Sequence, residues 1–243
     1  MSVLFVNIIC VKFVYKVIFV THNKMHSTIQ NLINIKKNIQ SNLNDLKINN
    51  QTKIIAVSKT FKVDKILPLI QHGHIDFGEN KIQEAVDKWT DLKKENSNLK
   101  LHMIGKLQTN KVKYAVKLFD YIHSVDNEKL ARKIADEEKK INKKTKIFIQ
   151  VNIGGEDQKS GVSKSQLYKL VTYCREIKLE AIGLMCIPPL DHDPTIYFED
   201  MRKLNTDFGF TELSMGMSSD YLKASEYSAT YLRIGSSIFG QRS

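Results

Sequence analysis

Lys59 is the residue of this 243-residue chain whose setting most invites nucleophilic chemistry. It directly follows Ile54-Ile55-Ala56-Val57-Ser58, a short apolar run of the fully buried, parallel kind. A lysine there is ordinarily just the first solvent-facing residue of a loop. Walled in by neighbouring strand ends and set near Arg233, its amine would be desolvated and beside a second cation. Both effects favour the neutral form, which attacks an aldehyde. Two further stretches invite an anion: Ser214-Met215-Gly216-Met217-Ser218-Ser219 and Arg233-Ile234-Gly235-Ser236-Ser237. A Gly-rich turn with serines opening a helix presents backbone N–H groups, and the helix dipole favours negative charge there. Each stretch alone is ordinary, because Ser is a common N-cap and Gly a common turn residue. Together they suggest a phosphate site.

These residues must be brought together by the elements that carry them. From Met25 onward, strand-like and helix-like patterns alternate with short breaks. The first helix is expected over residues 28–46, with Ile29, Leu32, Ile33, Ile39, Leu43 and Leu46 on one face. Strands are expected at 53–58, 74–77, 100–104, 121–124, 146–153, 180–187, 212–215 and 230–234. Between them, Ile82-Ala85-Val86-Trp89, Val112-Ala115-Val116-Phe119 and Leu167-Leu170-Val171-Cys174 repeat at helical spacing. Ser163 with Gln166 reads as a capping box, and Asp193-Pro194 as an N-cap followed by proline at the first helical position. Pro68 predicts a late start or a kink in the helix after the first strand. Eight strands alternating with helices favour one (β/α)8 TIM-type barrel with an extra N-terminal helix. An open doubly wound sheet is the alternative, but no GxGxxG loop follows the first strand.

In such a barrel, function sits where strands end. Lys59 follows the first strand, Glu79-Asn80 the second, Gly105, Gln108 and Asn110 the third. Asn152 and Met185 lie near the ends of the fifth and sixth, and the two serine-rich stretches end the seventh and eighth. Phosphate is commonly held by the last two loops of a barrel. A phosphate site opposite an amine nucleophile is the arrangement that pyridoxal 5′-phosphate (PLP) requires.

Composition narrows the alternatives. The net charge of +11 comes mostly from lysines spread along the chain, and no zinc-finger, RNP or basic-zipper pattern indicates a nucleic-acid partner. Cys10, Cys174 and Cys186 have neither metal-ligand spacing nor an even count, so no metal is expected and a reducing, cytoplasmic compartment is. Residues 1–24 form an apolar extension containing Lys12 and Lys16, which argues against a membrane anchor, and residues 25–243 carry the domain pattern. A misplaced start codon explains the extension as well as a targeting role does.

Several stretches resemble the pyridoxal phosphate homeostasis protein family, a stand-alone relative of the alanine racemase N-terminal barrel. They include Ala56-Val57-Ser58-Lys59-Thr60, Phe77-Gly78-Glu79-Asn80, His102-Met103-Ile104-Gly105 with Leu107-Gln108-Thr109-Asn110-Lys111, and Leu213-Ser214-Met215-Gly216-Met217-Ser218. Lys159-Ser160-Gly161, Gly183-Leu184-Met185 and Arg233-Ile234-Gly235-Ser236-Ser237-Ile238-Phe239-Gly240 extend the likeness to about residue 241. The resemblance implies PLP held as a Schiff base on Lys59, its phosphate at Ser218, Gly235 and Ser236, its pyridine nitrogen near Arg233, and Asn80 and Met215 lining the pocket. It also implies a monomeric PLP reservoir that transiently meets PLP-dependent apoenzymes. Ser225 and Ser228 stand where an apolar residue and a glycine are expected, and Lys81 where an aromatic is usual.

Two arguments favour a carrier without catalytic turnover. An arginine beside the pyridine nitrogen keeps that nitrogen unprotonated and weakens the electron sink. The chain ends at Ser243, just after the eighth strand, leaving no room for the second domain from which racemases draw their other acid/base group. A small amino-acid racemase is the competing reading.

Overall fold

The computed structural model describes residues 25–156 and 158–241, so Cys10 and the extension at 1–24 lie outside the described residues. The first periodic segment is helix α1 (Ser27–Asp45), whose buried stripe is Thr28, Leu32, Ile35, Ile39 and Leu43. That stripe differs from the expected one: Ile35 is buried where Ile33 was expected, Ile29 and Ile33 are only partly covered, and Leu46 is the C-cap and half exposed.

Eight strands follow: β1 (Lys53–Val57), β2 (Asp76–Glu79), β3 (Lys100–Met103), β4 (Tyr121–Val125), β5 (Lys146–Val151), β6 (Ala181–Cys186), β7 (Glu212–Ser214) and β8 (Tyr231–Ile234). They close into one barrel in sequence order. All neighbours are parallel, and β1 pairs with β8 from Lys53↔Tyr231 to Ala56↔Ile234. That last pairing rules out the open sheet.

A helix follows each strand: α2 (Val63–Gln71), α3 (Ile82–Glu95), α4 (Val112–Leu118), α5 (Glu128–Ile141), α6 (Lys164–Glu176), α7 (Thr195–Asp207), α8 (Tyr221–Glu226) and α9 (Ser236–Phe239). The additional helix α1 packs on α2, α8 and α9. Asn31 Nδ2 donates to the Ile238 carbonyl (2.9 Å), and Asn42 Nδ2 to Glu226 (3.1 Å).

Strand alternation splits the core in two. Ile54, Ala56, Leu232 and Ile234 join the large apolar layer beneath the helices, whereas Ile55, Phe148, Met185 and Tyr231 cluster together in the lumen. Six helices end alike. A left-handed residue (Lys47, Gly73, Asn142, Lys178, Gly209 or Ser228) is followed by an amide that returns to the carbonyl five residues back, which satisfies orphan carbonyls.

Four local expectations need correction. Strand β2 starts and ends two residues later than expected, so Gly78 and Glu79 belong to the sheet. Ser163 caps α6 without a side-chain hydrogen bond; its hydroxyl instead meets that of Ser165 (3.0 Å). Asp193 accepts from the Thr195 amide (3.0 Å), so α7 begins after Pro194 rather than on it. Helix α2 starts at Val63 with Pro68 inside it, so the late start expected from that proline is not seen.

Candidate functional site

The C-terminal ends of the strands surround a cleft of about 480 Å³. Six of the seven expected site residues line it: Lys59, Asn80, Ser218, Arg233, Gly235 and Ser236. Met215 does not. Its predecessor Ser214 faces the lumen, so on a pleated strand Met215 turns the other way, into the buried layer under the helices. The strand-end residues Gly105, Gln108, Asn110, Asn152 and Met185 also stay out of the lining, while Ile104 and Ile187 join it.

Lys59 is half-buried and sits between two anchored neighbours. Before it, Ser58 is fully buried and its hydroxyl donates to Glu79 Oε1 (2.8 Å). The same oxygen accepts from Lys88 Nζ (2.9 Å) and Trp89 Nε1 (2.9 Å) on α3, and Lys88 also donates to the Ser58 carbonyl (2.9 Å). A buried carboxylate thus ties the end of β1 to β2 and α3. After Lys59, the β-branched Thr60 adopts φ +69°, a conformation that costs a non-glycine residue on the order of 1–3 kcal/mol. The Thr60 amide donates to Glu84 Oε1, which holds the turn. Burial pushes the Glu84 carboxyl up, but the bonds from Lys88 and the Thr60 amide outweigh it and hold Glu84 below its ordinary range.

Asn80 owes its position to a glycine. A Cβ on Gly105 would stand 2.4 Å from the Asn80 carbonyl oxygen, so the loop after β3 can press on Asn80 only because residue 105 has no side chain. The Asn80 Oδ1 atom is buried and has no hydrogen-bond partner.

The anion-inviting loops meet as the sequence suggests. Ser218 Oγ accepts from the amides of Gly235 and Ser237, both at 3.3 Å, toward the long end for such bonds. Gly216, at φ +88°, lets the loop turn against Ala224 and Leu232, and its carbonyl accepts from the Arg233 amide (2.9 Å). The Arg233 side chain is buried and doubly anchored, Nη1 to Ser214 Oγ (2.7 Å) and Nη2 to the Cys186 carbonyl (2.8 Å). Burial lowers the Arg233 pKa below its ordinary value.

Sequence reasoning missed two things here. Glu79 read as a loop residue, although a Ser one position before the candidate lysine and a Lys-Trp pair about two helical turns into α3 were the available signal. The partners behind Arg233 gave no signal, since His102 and His123 lie 21 residues apart on neighbouring strands.

Comparison with known proteins agrees with this architecture. Residues 31–243 match the family described as alanine racemase, N-terminal domain. A pyridoxal phosphate homeostasis protein of Pasteurella multocida is 35% identical over 225 residues, covering 88% of this chain and 97% of the relative. One from Aquifex aeolicus is 38% identical over 203 residues, covering 79% and 88%. PipY of Synechococcus elongatus, solved with and without PLP, covers 83% of this chain and all of its own, at TM-scores of 0.71 and 0.75 and identities of 31% and 32%. This chain therefore belongs to the pyridoxal phosphate homeostasis protein family, built on the alanine racemase N-terminal domain.

Proposed function

We propose that this protein binds PLP in the cleft, holds it by a reducible covalent linkage to Lys59, and serves PLP homeostasis by buffering or delivering it without turnover. One observation carries the reading: a single cleft gathers an amine at the end of β1, a fixed guanidinium on β8 and the serine-rich loops after β7 and β8. The residues suit the group. The Gly235 and Ser237 amides, held only by a serine hydroxyl at 3.3 Å, can exchange it for a stronger anionic acceptor, and the unpartnered Asn80 Oδ1 is an acceptor waiting for a donor. Bound there, PLP supplies a reactive aldehyde and an aromatic pyridine. Ser218, Gly235 and Ser236 would hold the phosphate, and Arg233 would face the pyridine nitrogen as a donor that cannot give up its proton. Of the described residues lining the cleft, only Lys59 and Arg233 have ionisable side chains, which supports a carrier over a racemase that needs acid/base groups on both faces.

We assign this role to residues 25–243 as a monomer that meets recipient apoenzymes transiently. Among the described residues no helix is long and apolar enough to cross a membrane, and Cys174 and Cys186 are buried free thiols, which supports a reducing cytoplasmic setting.

The test is spectroscopic. Protein with PLP should absorb in the near-ultraviolet to visible range, borohydride should fix the adduct, and peptide mapping should place it on Lys59. Lys59→Ala should abolish the reducible adduct. Pyridoxal lacking its phosphate should bind far more weakly, each lost charge-assisted bond costing roughly 1.5–3 kcal/mol. The chain begun at Met25 should bind PLP as the full chain does. An adduct on Lys62 or Lys106 would refute the site, and sustained racemisation or transamination of alanine would refute the carrier.

A further inference from the structure

Behind Arg233 an unbroken line of hydrogen bonds crosses the barrel to its opposite mouth. Arg233 Nη1 meets Ser214 Oγ (2.7 Å), Ser214 Oγ meets His123 Nδ1 (2.9 Å), His123 Nε2 meets His102 Nδ1 (3.0 Å), and His102 Nε2 meets Asp76 Oδ1 (3.0 Å). The five residues come from β8, β7, β4, β3 and β2. Ser214, His123 and His102 are fully buried, while Arg233 lines the cleft at one end and Asp76 reaches solvent at the other, with 16% of its side chain exposed. It does so in a depression at the N-terminal ends of the strands, beside Lys53 and His74.

The direction of this chain is forced from one end. The Asp76 carboxylate only accepts, so the neutral rings must donate toward it in turn, which leaves His123 Nδ1 to accept from the Ser214 hydroxyl, itself an acceptor from the donor-only Arg233. His123 then carries its proton on Nε2 and donates it to His102 Nδ1. His102 in turn carries its proton on Nε2 and donates to the Asp76 carboxylate. Both imidazoles are neutral in the same tautomer. Burial lowers the pKa of both rings, against the pull of Asp76 at His102 and with the help of His102 and Arg233 at His123, where the shift is the larger. Ring stacking fixes their planes: His102 lies on Tyr121 at 4.3 Å and 7°, and His123 on Phe148 at 4.3 Å and 22°. The direct acceptors of Arg233, a hydroxyl and a backbone carbonyl, are neutral, so the carboxylate that its hydrogen bonds reach lies across the barrel. A carboxylate in direct contact would cancel the guanidinium charge; this chain fixes the plane and leaves the charge to the cleft.

We infer that Asp76, His102, His123 and Ser214 are positioning residues that orient Arg233, as a donor-only cation, for the group bound in the cleft. The inference rests on the PLP reading only in the second of its two tests. The first is histidine side-chain nitrogen NMR on the full chain without ligand. His102 and His123 should both show the neutral Nε2–H tautomer at neutral pH. An Nδ1–H tautomer or a doubly protonated ring at either position overturns the inference. The second measures PLP affinity and the absorption band of Ser214→Ala, Asp76→Ala and Asp76→Asn, beside their unfolding midpoints. Ser214→Ala and Asp76→Ala should loosen PLP roughly tenfold and shift the band, while Asp76→Asn, which keeps an acceptor oxygen, should recover most of the affinity. Folded Ser214→Ala and Asp76→Ala proteins that bind within twofold of wild type overturn it. If wild type takes no PLP, the cofactor reading falls and the tautomers still decide the chain. If a variant does not fold, they decide it as well.

Discussion

Removing Glu79 should cost more stability than its place at a strand end suggests. Its Oε1 collects Ser58 Oγ, Lys88 Nζ and Trp89 Nε1 at 2.8–2.9 Å, and its side chain is wholly buried while that of Lys88 is 8% exposed. Glu79→Ala strands a buried ammonium and leaves the indole N–H and Ser58 hydroxyl without their acceptor. Deleting one partner of a buried pair costs about 3–5 kcal/mol. For a protein of this size that lowers Tm by roughly 6–20 °C, a large share of a typical total of about 5–15 kcal/mol. Lys88 retains Glu84 (2.9 Å) and the Ser58 carbonyl (2.9 Å), which places the cost toward the lower end. Glu79→Gln keeps the shared acceptor but puts an amide donor where Oε2 has no partner, so about 1.5–3 kcal/mol is expected. The decisive measurement is a double-mutant cycle in urea. Glu79→Leu with Lys88→Met removes both charges and should be less destabilised than the sum of the two single changes by at least about 1 kcal/mol. Additive losses, or a Glu79→Ala loss below about 1 kcal/mol, would refute the tie between β1, β2 and α3.

Other consequences follow from single residues. Burial lowers the pKa of His74 from its ordinary 6.5 to about 4, so the unfolded chain binds the extra proton first. Stability from neutral His74 is complete above about pH 6.5 and is lost as pH falls toward about 4, to a total of roughly 3 kcal/mol; urea midpoints of wild type and His74→Leu should converge in that direction. Gly216→Ala should cost at least about 2 kcal/mol in thermal unfolding and weaken PLP, because the new methyl would sit 2.5 Å from the Ala224 Cβ at φ +88°. Ser228→Gly should raise stability by about 0.5–1 kcal/mol, since Ser228 holds φ +66° at a helix end where glycine is unstrained; an unchanged midpoint would count against that strain.

How much was readable from the amino acids varied with the kind of contact. Buried parallel strands are runs such as Lys146–Val151, so all eight were placed, because burial on both faces leaves an apolar signature. Strand β2 slipped by two residues because Gly78 and Glu79 look like loop residues until Ser58, Lys88 and Trp89 close around the carboxylate. That Lys59, Arg233 and the serine loops meet at one cleft was readable because strand-end position is itself a local signal. Met215 packs in the layer beneath the helices, one alternation of the pleat away from Ser214 in the lumen, which its strand-end position alone does not reveal. Helix ends at Lys47, Asn142 and Lys178 escaped notice, since the left-handed turn there is made without glycine.

The seam between β1 and β8 has a further consequence, for the order of events during synthesis. Lys59 lies near the start of the folded chain, whereas Ser218, Arg233 and Gly235 are among its last residues, and the register from Lys53↔Tyr231 to Ala56↔Ile234 is what joins them. A polypeptide emerging from the ribosome therefore presents Lys59 long before the loops after β7 and β8 exist. On the function proposed above, specific capture of PLP would have to wait until β8 is released and the ring is complete. Until then the amine is one lysine among many, and ligand uptake by a growing chain would report the moment of closure.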